Sequence, residues 1–259
     1  MSGRTEPVRR AVAVLRALAV SDVRMRYGRG RLRAVKWLLD PYAVTGVYLV
    51  LVAYVLDRPG PSVGLSIACA IVPFQLIVMS IVNASSAVHA RHSIVSNMRF
   101  ERGLIPLAAV VTETVGFAAA LTLLGLMMGV YGVAPTAALL WLPILLATTF
   151  LLAVAAAYPA ALIGVWYPNA RPFMVSIARA AFFVAPGFVA LAQIHGDARE
   201  WLRLNPLSGV FESYRSVFVS GTSPAAWELL VPLVVAVLVL ALLVPVFRRE
   251  APHLAKVME

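Results

Sequence analysis

LIPLAAVVTETVGFAAALTLLGLMMGVY, residues Leu104–Tyr131, carries one charged side chain, Glu113, in an otherwise apolar run. As a helix rising 1.5 Å per residue it is about 40 Å long. The hydrocarbon core of a bilayer is about 30 Å thick, so this run is long enough to cross it. Comparable stretches occur at Leu38–Leu56, Val63–Ala87, Ala137–Trp166, Phe173–Ile194 and Trp227–Phe247. Together they predict an all-α integral membrane protein with six transmembrane helices, one domain over 1–259, with the bundle over 38–247. The composition agrees: 61% of the 259 residues are hydrophobic and 13% charged, which in water would aggregate.

The net charge of +10 follows the predicted topology. Ten basic residues, from Arg4 to Lys36, precede the first span. Arg91, Arg99 and Arg102 follow the second, Arg171 follows the fourth, and Arg248, Arg249 and Lys256 lie in the tail, 248–259. The opposite side has Arg58, Arg199, Arg203 and Arg215. Lys and Arg are retained in the cytoplasm, so both termini are predicted cytoplasmic in a multi-pass protein of the inner or plasma membrane. This distribution reads as topology, with attraction to anionic membrane lipids second, and not as nucleic-acid binding. No cleavable signal peptide is evident. Cys69, the single cysteine, falls mid-span and reads as a small core residue.

Residues 1–37 predict a helix. Val8, Ala11, Val12, Leu15, Leu18, Ala19 and Val23 recur at helical spacing, with Arg9, Arg16 and Arg24 on another face. Such a basic amphipathic helix lies in the headgroup plane, or packs on protein. The longest connection, 195–226, is predicted external. It holds a short helix at Asp197–Leu204 with Trp201, then Asn205 as N-cap and Pro206 in the first turn of a second helix. Phe211 and Tyr214 belong to the second helix's apolar stripe, so both helices are expected half-immersed in the outer leaflet. Gly125 and Gly129 form a GxxxG, which permits close helix approach.

The residues for bond-breaking chemistry are absent from the sequence patterns. A phosphate-binding loop needs G-x-x-x-x-G-K-[ST], and neither lysine, Lys36 or Lys256, follows a glycine. His89 and His92 make a weak metal-site signal, and no metal is expected. Intramembrane charges are functional candidates. Glu113 and Arg179 both lie about 12–15 Å from the cytoplasmic ends of their spans, at equal depth and with opposite sign. They read either as a structural ion pair or as a polar lining for a passing headgroup or sugar.

With these segments in place the chain resembles the permease subunit of type-2 ABC exporters, in the group that exports polysaccharides and polyol phosphates such as O-antigen, teichoic acid or galactan. DVRMRYGRGRL at Asp22–Leu32 is similar to that family's amphipathic entry helix. IVSNMRFERGLIPLA at Ile94–Ala108 is similar to its coupling stretch, with Phe100, Arg102, Pro106 and Leu107 matching. WYPNARPF at Trp166–Phe173, VAPG at Val184–Gly187 and NPLSGVFESYR at Asn205–Arg215 match further motifs in order. Glu101 stands in place of the coupling-loop proline, Ser96 and Asn97 stand where basic residues are usual, and Pro168-Asn169 replaces Arg-Asp.

The resemblance implies a homodimer with two copies of a separate ABC ATPase, which would bind ATP and magnesium; this chain itself binds no cofactor. The cytoplasmic loop 88–103 would dock into the ATPase through Ile94, Val95, Asn97, Arg99, Phe100, Glu101 and Arg102. The external gate helices would use Trp201, Asn205, Pro206, Phe211, Tyr214 and Arg215. Spans one and five would move, and aromatic rings between them could slide a lipid-linked glycan: Tyr42, Tyr48, Phe182, Phe183 and Phe188, with Arg179 and Glu113. The alternatives are a drug or antibiotic exporter permease of the same superfamily and a membrane-embedded glycosyltransferase, which would need acids or histidines clustered at one membrane face.

Overall fold

The computed structural model describes residues 5–27, 62–91 and 101–250, with 39, 42, 43, 46 and 47. Most of span one, Tyr48, the loop residues Ile94, Val95, Asn97, Arg99 and Phe100, and the tail from 251 lie outside them. The described residues are all-helical. The α-helices run in the order α1 (Thr5–Tyr27), α2 (Val63–Ala87), α3 (Leu104–Val130), α4 (Leu142–Trp166), α5 (Arg171–Val184), α6 (Asp197–Arg203), α7 (Pro206–Phe218) and α8 (Ala226–Glu250). Four helical segments are long and apolar enough to cross a membrane: Val63–Ala87, Leu104–Val130, Ala137–Trp166 and Ala226–Glu250.

Helix α2 is the axis of the bundle, packed by α3, α4, α5 and α7. Leu65, Ile67, Ala68, Cys69, Ala70, Ile71 and Val72 are consecutive or nearly so, and all are buried, which places protein on every side of α2. Cys69 is the small core residue the sequence predicts. The tightest seam is with α4. Ala153, Ala157 and Ala161 recur every fourth residue, all fully buried, and Gly164 continues the row. A Cβ on Gly164 would stand 1.9 Å from the Ser85 carbonyl oxygen, a backbone atom that cannot swing aside. Small residues on one face let helix backbones approach, which is how helices associate where lipid removes the hydrophobic drive.

Within the single chain the close approach is made at this seam and not at the GxxxG. Gly125 and Gly129 are exposed, and a Cβ at either would meet nothing within 4 Å. Gly164→Leu is expected to destabilise the bundle by about 1–3 kcal/mol through overpacking, and Gly125→Leu to leave it unchanged. Melting of the two variants in detergent checks this.

Helix α3 ends where Gly132 takes φ +67°. The Gly132 N–H donates to the Gly129 carbonyl and the Val133 N–H to the Met128 carbonyl, a Schellman cap that satisfies the last carbonyls of the helix. Beyond the turn, the Thr136 hydroxyl accepts from the Ala138 N–H at 3.3 Å and the chain re-enters.

Span five departs from its expectation. Helix α5 has 14 residues and stops at Val184, about 21 Å of helix. Pro186 lacks an N–H and disfavours helical backbone at Ala185, which adopts φ −96°, ψ 46°. Turns and a short 3-10 segment at Leu191–Gln193 follow. The residues stay apolar past the break, so hydropathy carries no mark of it.

Helix α7 also departs. It begins as predicted, with the Asn205 side chain accepting from the Leu207 N–H at 3.0 Å and Pro206 in the first turn. It is not half-immersed in lipid. Val210, Phe211, Tyr214, Val217 and Phe218 are buried, and so are Ser208, Gly209 and Ser213 on the remaining surface. The small second face admits α8: a Cβ on Gly209 would meet the Glu228 carbonyl oxygen and Pro232 Cδ, each at 2.9 Å. Helix α7 is sandwiched between α2 and α8. Helix α8 turns Leu230, Leu233, Val234, Val237, Leu238 and Leu242 outward. An exposed apolar row of this length fits lipid, not water.

Candidate functional site

Two polar clusters sit at opposite ends of α2. At its C-terminal end, Asp22 of α1, Asn83 and Arg91, and Thr112 and Glu113 of α3 line a cavity of about 540 Å³. Arg91 is buried. Its guanidinium donates to the Ala87 carbonyl at 3.0 Å and makes an ion pair with Asp22. The Thr112 hydroxyl donates to the Ala108 carbonyl at 2.9 Å, with Asp22 Oδ2 at 3.5 Å. Burial pushes the Asp22 carboxyl above its ordinary value, outweighing the opposing pull of Arg91. The pair thus ties α1 to the point where the chain leaves α2, just before residues 92–100.

Removing Asp22 leaves the Arg91 guanidinium buried against one carbonyl. Asp22→Ala is expected to lower stability by about 1–3 kcal/mol, with Asp22→Glu retaining most of it. Chemical denaturation in detergent measures both.

The far end of the same loop is pinned independently. The Tyr158 hydroxyl of α4 donates to the Gly103 carbonyl at 3.0 Å, and its ring meets Phe247 of α8 edge-on at 5.5 Å. Arg248 donates to Glu101 at 2.9 Å. Of the predicted loop residues, Glu101 and Arg102 are described, and Glu101 takes part in this clasp. Tyr158, Phe247 and Arg248 complete the clasp without belonging to the predicted loop. A tyrosine beside Pro159 inside an apolar span, and an aromatic-arginine step at the end of the last, are the signals that mark them.

Glu113 and Arg179 do not pair within the chain. Glu113 is buried and accepts from the Asn83 amide. Arg179 lies on the exposed side of α5 and makes no hydrogen bond or ion pair with Glu113. Equal depth along two spans did not bring them together because α5 rests on α2, with Phe173, Ile177 and Val184 on its exposed side.

The second cluster surrounds Arg215 at the N-terminal end of α2. This arginine is buried and uses its fork on backbone. Nε donates to the Ser66 carbonyl at 3.1 Å, Nη1 to Val189 at 3.1 Å, and Nη2 to Gly187 at 2.6 Å. Pro186 O lies at 3.4 Å from both terminal nitrogens. Glu212, one turn back, balances the charge at 2.6 Å and also accepts from the Leu191 N–H at 2.9 Å. Irregular backbone at membrane depth is tolerated only where its polar groups find partners in the protein. Arg215 and Glu212 supply those partners for the broken half of span five.

Around this lock the aromatics gather. Phe182 is buried with its ring 5.0 Å from those of Phe74 and Phe188 and 5.7 Å from Phe211. Within the single chain it belongs to the core. Phe183 is exposed, packing edge-on to Phe182 at 5.8 Å, and Phe188 is half-buried. The Tyr42 hydroxyl is 2.8 Å from that of Thr122, which sets this part of span one beside α3. Tyr214 is buried, 3.3 Å from the Thr149 hydroxyl. Trp201 is exposed, while Arg203 of the same helix lies 5.8 Å over the Trp227 ring of α8.

Apolar helices with irregular backbone locked at one end and a clasped loop at the other define a multi-pass membrane protein built around its connections. Comparison with known proteins agrees. The chain is 25% identical over 230 residues, 88% of each chain, to the O-antigen export system permease protein RfbA of Myxococcus xanthus. It is 20% identical over 202 residues, 78% of each chain, to the protein of the same name from Klebsiella pneumoniae. No family model matches. The resemblance to type-2 ABC exporter permeases is borne out: the chain is similar to export-system permeases over most of its length.

Proposed function

We propose that this chain is the membrane-spanning subunit of an ATP-driven exporter that moves a lipid-linked polysaccharide of the O-antigen class out of the cytoplasm. The observation that carries the reading is the match to an export permease along 88% of both chains. In this reading six spans cross the membrane, both termini are cytoplasmic, two copies form the path, and two ATPase subunits bind ATP and magnesium.

The bonds described above then acquire a mechanical role. The cytoplasmic loop 88–103 receives the push of the ATPase. Its start is fixed to α1 by Arg91–Asp22 and its end to α4 and α8 by Tyr158 and Arg248. The two ends of the loop move with these three helices. At the other end, Arg215 joins Ser66 of α2 to residues 186–189 beyond α5. A shift of α2 therefore reaches the external segment 195–226 through the lock. Phe183, Arg179 and the exposed side of α5 are the side chains available to a second copy or to passing sugar.

Depleting the subunit in its host tests the reading. Lipid-linked glycan should accumulate at the cytoplasmic face while the surface loses it. Unchanged surface glycan with loss of resistance to a drug would place the chain with drug exporters instead.

A further inference from the structure

Helix α1 carries Val12, Arg16, Val20 and Arg24 every fourth residue, on one side. All four are exposed, beside the buried row of Ala19 and Val23 that seats α1 on α3. That side opens into a cavity of about 460 Å³ between the two helices, bounded by both arginines and by Val111 and Val115 of α3. A second cavity of about 400 Å³ continues from Val111 and Val115 to Ala118 and Phe150. Two shared side chains make these one groove, leading from a basic mouth along the flank of α3 to α4.

The groove is chemically divided. Thr114 is the one described side chain with a hydrogen-bonding group in the inner half, and its hydroxyl donates to the Val110 carbonyl at 2.9 Å. At the mouth, neither Arg16 nor Arg24 is ion-paired with a described residue. The occupant that complements this has an anionic oxygen-bearing head and a long apolar tail. Guanidinium groups hold phosphate through paired hydrogen bonds, and the valine and phenylalanine walls suit an acyl chain.

We propose that this groove binds one anionic phospholipid, its phosphate between Arg16 and Arg24 and one acyl chain along Val111, Val115, Ala118 and Phe150. The site lies apart from the Arg215 lock, and its occupancy does not depend on what the protein exports. Such a lipid would brace α1 against α3 where α1 is also tied to Arg91.

The test titrates the full-length purified chain in detergent with phosphatidylglycerol, phosphatidylcholine or a polyprenyl pyrophosphate, reading Tm and lipid retained by native mass spectrometry. Phosphatidylglycerol is expected to raise Tm saturably with one lipid retained, and phosphatidylcholine not to. Arg16→Gln with Arg24→Gln should weaken that binding about 30-fold, the worth of two basic residues facing an anionic lipid. Ala118→Trp fills the inner half with every charge kept, and should also abolish saturable binding. Arg9→Gln with Arg10→Gln, outside the groove, should leave it intact. Equal loss in the Arg9/Arg10 variant overturns the site in favour of diffuse charge attraction. So does full binding by Ala118→Trp, equal retention of phosphatidylcholine, or retention of the pyrophosphate with no phosphatidylglycerol.

Discussion

Arg215→Ala is expected to cost about 3–5 kcal/mol of stability, the penalty for breaking a buried ion pair by removing one partner. The loss has two parts. Glu212 keeps a half-buried charge, with the Leu191 N–H left to meet it. The carbonyls of Ser66, Pro186, Gly187 and Val189 lose their shared donor where little water reaches them. Arg215→Lys is expected to rescue little, because an ammonium cannot reproduce a planar fork spread over several carbonyls. Arg215→Ala with Glu212→Gln should recover part of the loss by removing the stranded charge. Melting in detergent orders the variants, and a lysine variant as stable as the parent contradicts the account.

Phe100→Ala with Arg102→Ala is expected to abolish export while leaving the subunit folded. An aromatic ring and an arginine are the side-chain types that dominate interfaces, and each such anchor is worth about 2 kcal/mol or more. Losing two lowers affinity for an ATPase about a thousandfold. The clasp by Tyr158, Phe247 and Arg248 is untouched, so membrane abundance should stay near normal. Co-purification with the ATPase reads the effect directly, and unchanged association would move the contact elsewhere in the chain.

Much of this was legible in the sequence. The runs at Val63–Ala87, Leu104–Tyr131, Ala137–Trp166 and Trp227–Phe247 became helices because length and apolarity alone decide such spans. The Asn205-Pro206 start of α7 was legible because a cap is a local interaction. What escaped was relational. Ser208, Gly209 and Ser213 look like a polar face, yet they are the small face on which α8 closes. Gly125 and Gly129 look like a contact, yet within the single chain both are exposed, while Gly164 is the glycine that meets backbone, at Ser85. Arg215 reads as a gate residue, but its partners are mostly carbonyls, which carry no residue-type signal. Asn83, the partner of Glu113, is an amide that adds no charge to a span and so carries no signal of its own.

The central claim is that this chain is a path and a separate ATPase is the motor. Reconstitution into liposomes with a lipid-linked glycan on the outer leaflet, ATP outside and the ATPase present or absent, tests it most directly. With the ATPase, the glycan should become protected from an added glycosidase in step with ATP hydrolysis, and the chain alone should hydrolyse none. Nucleotide turnover by the chain alone, or glycan protection without ATP, would contradict it.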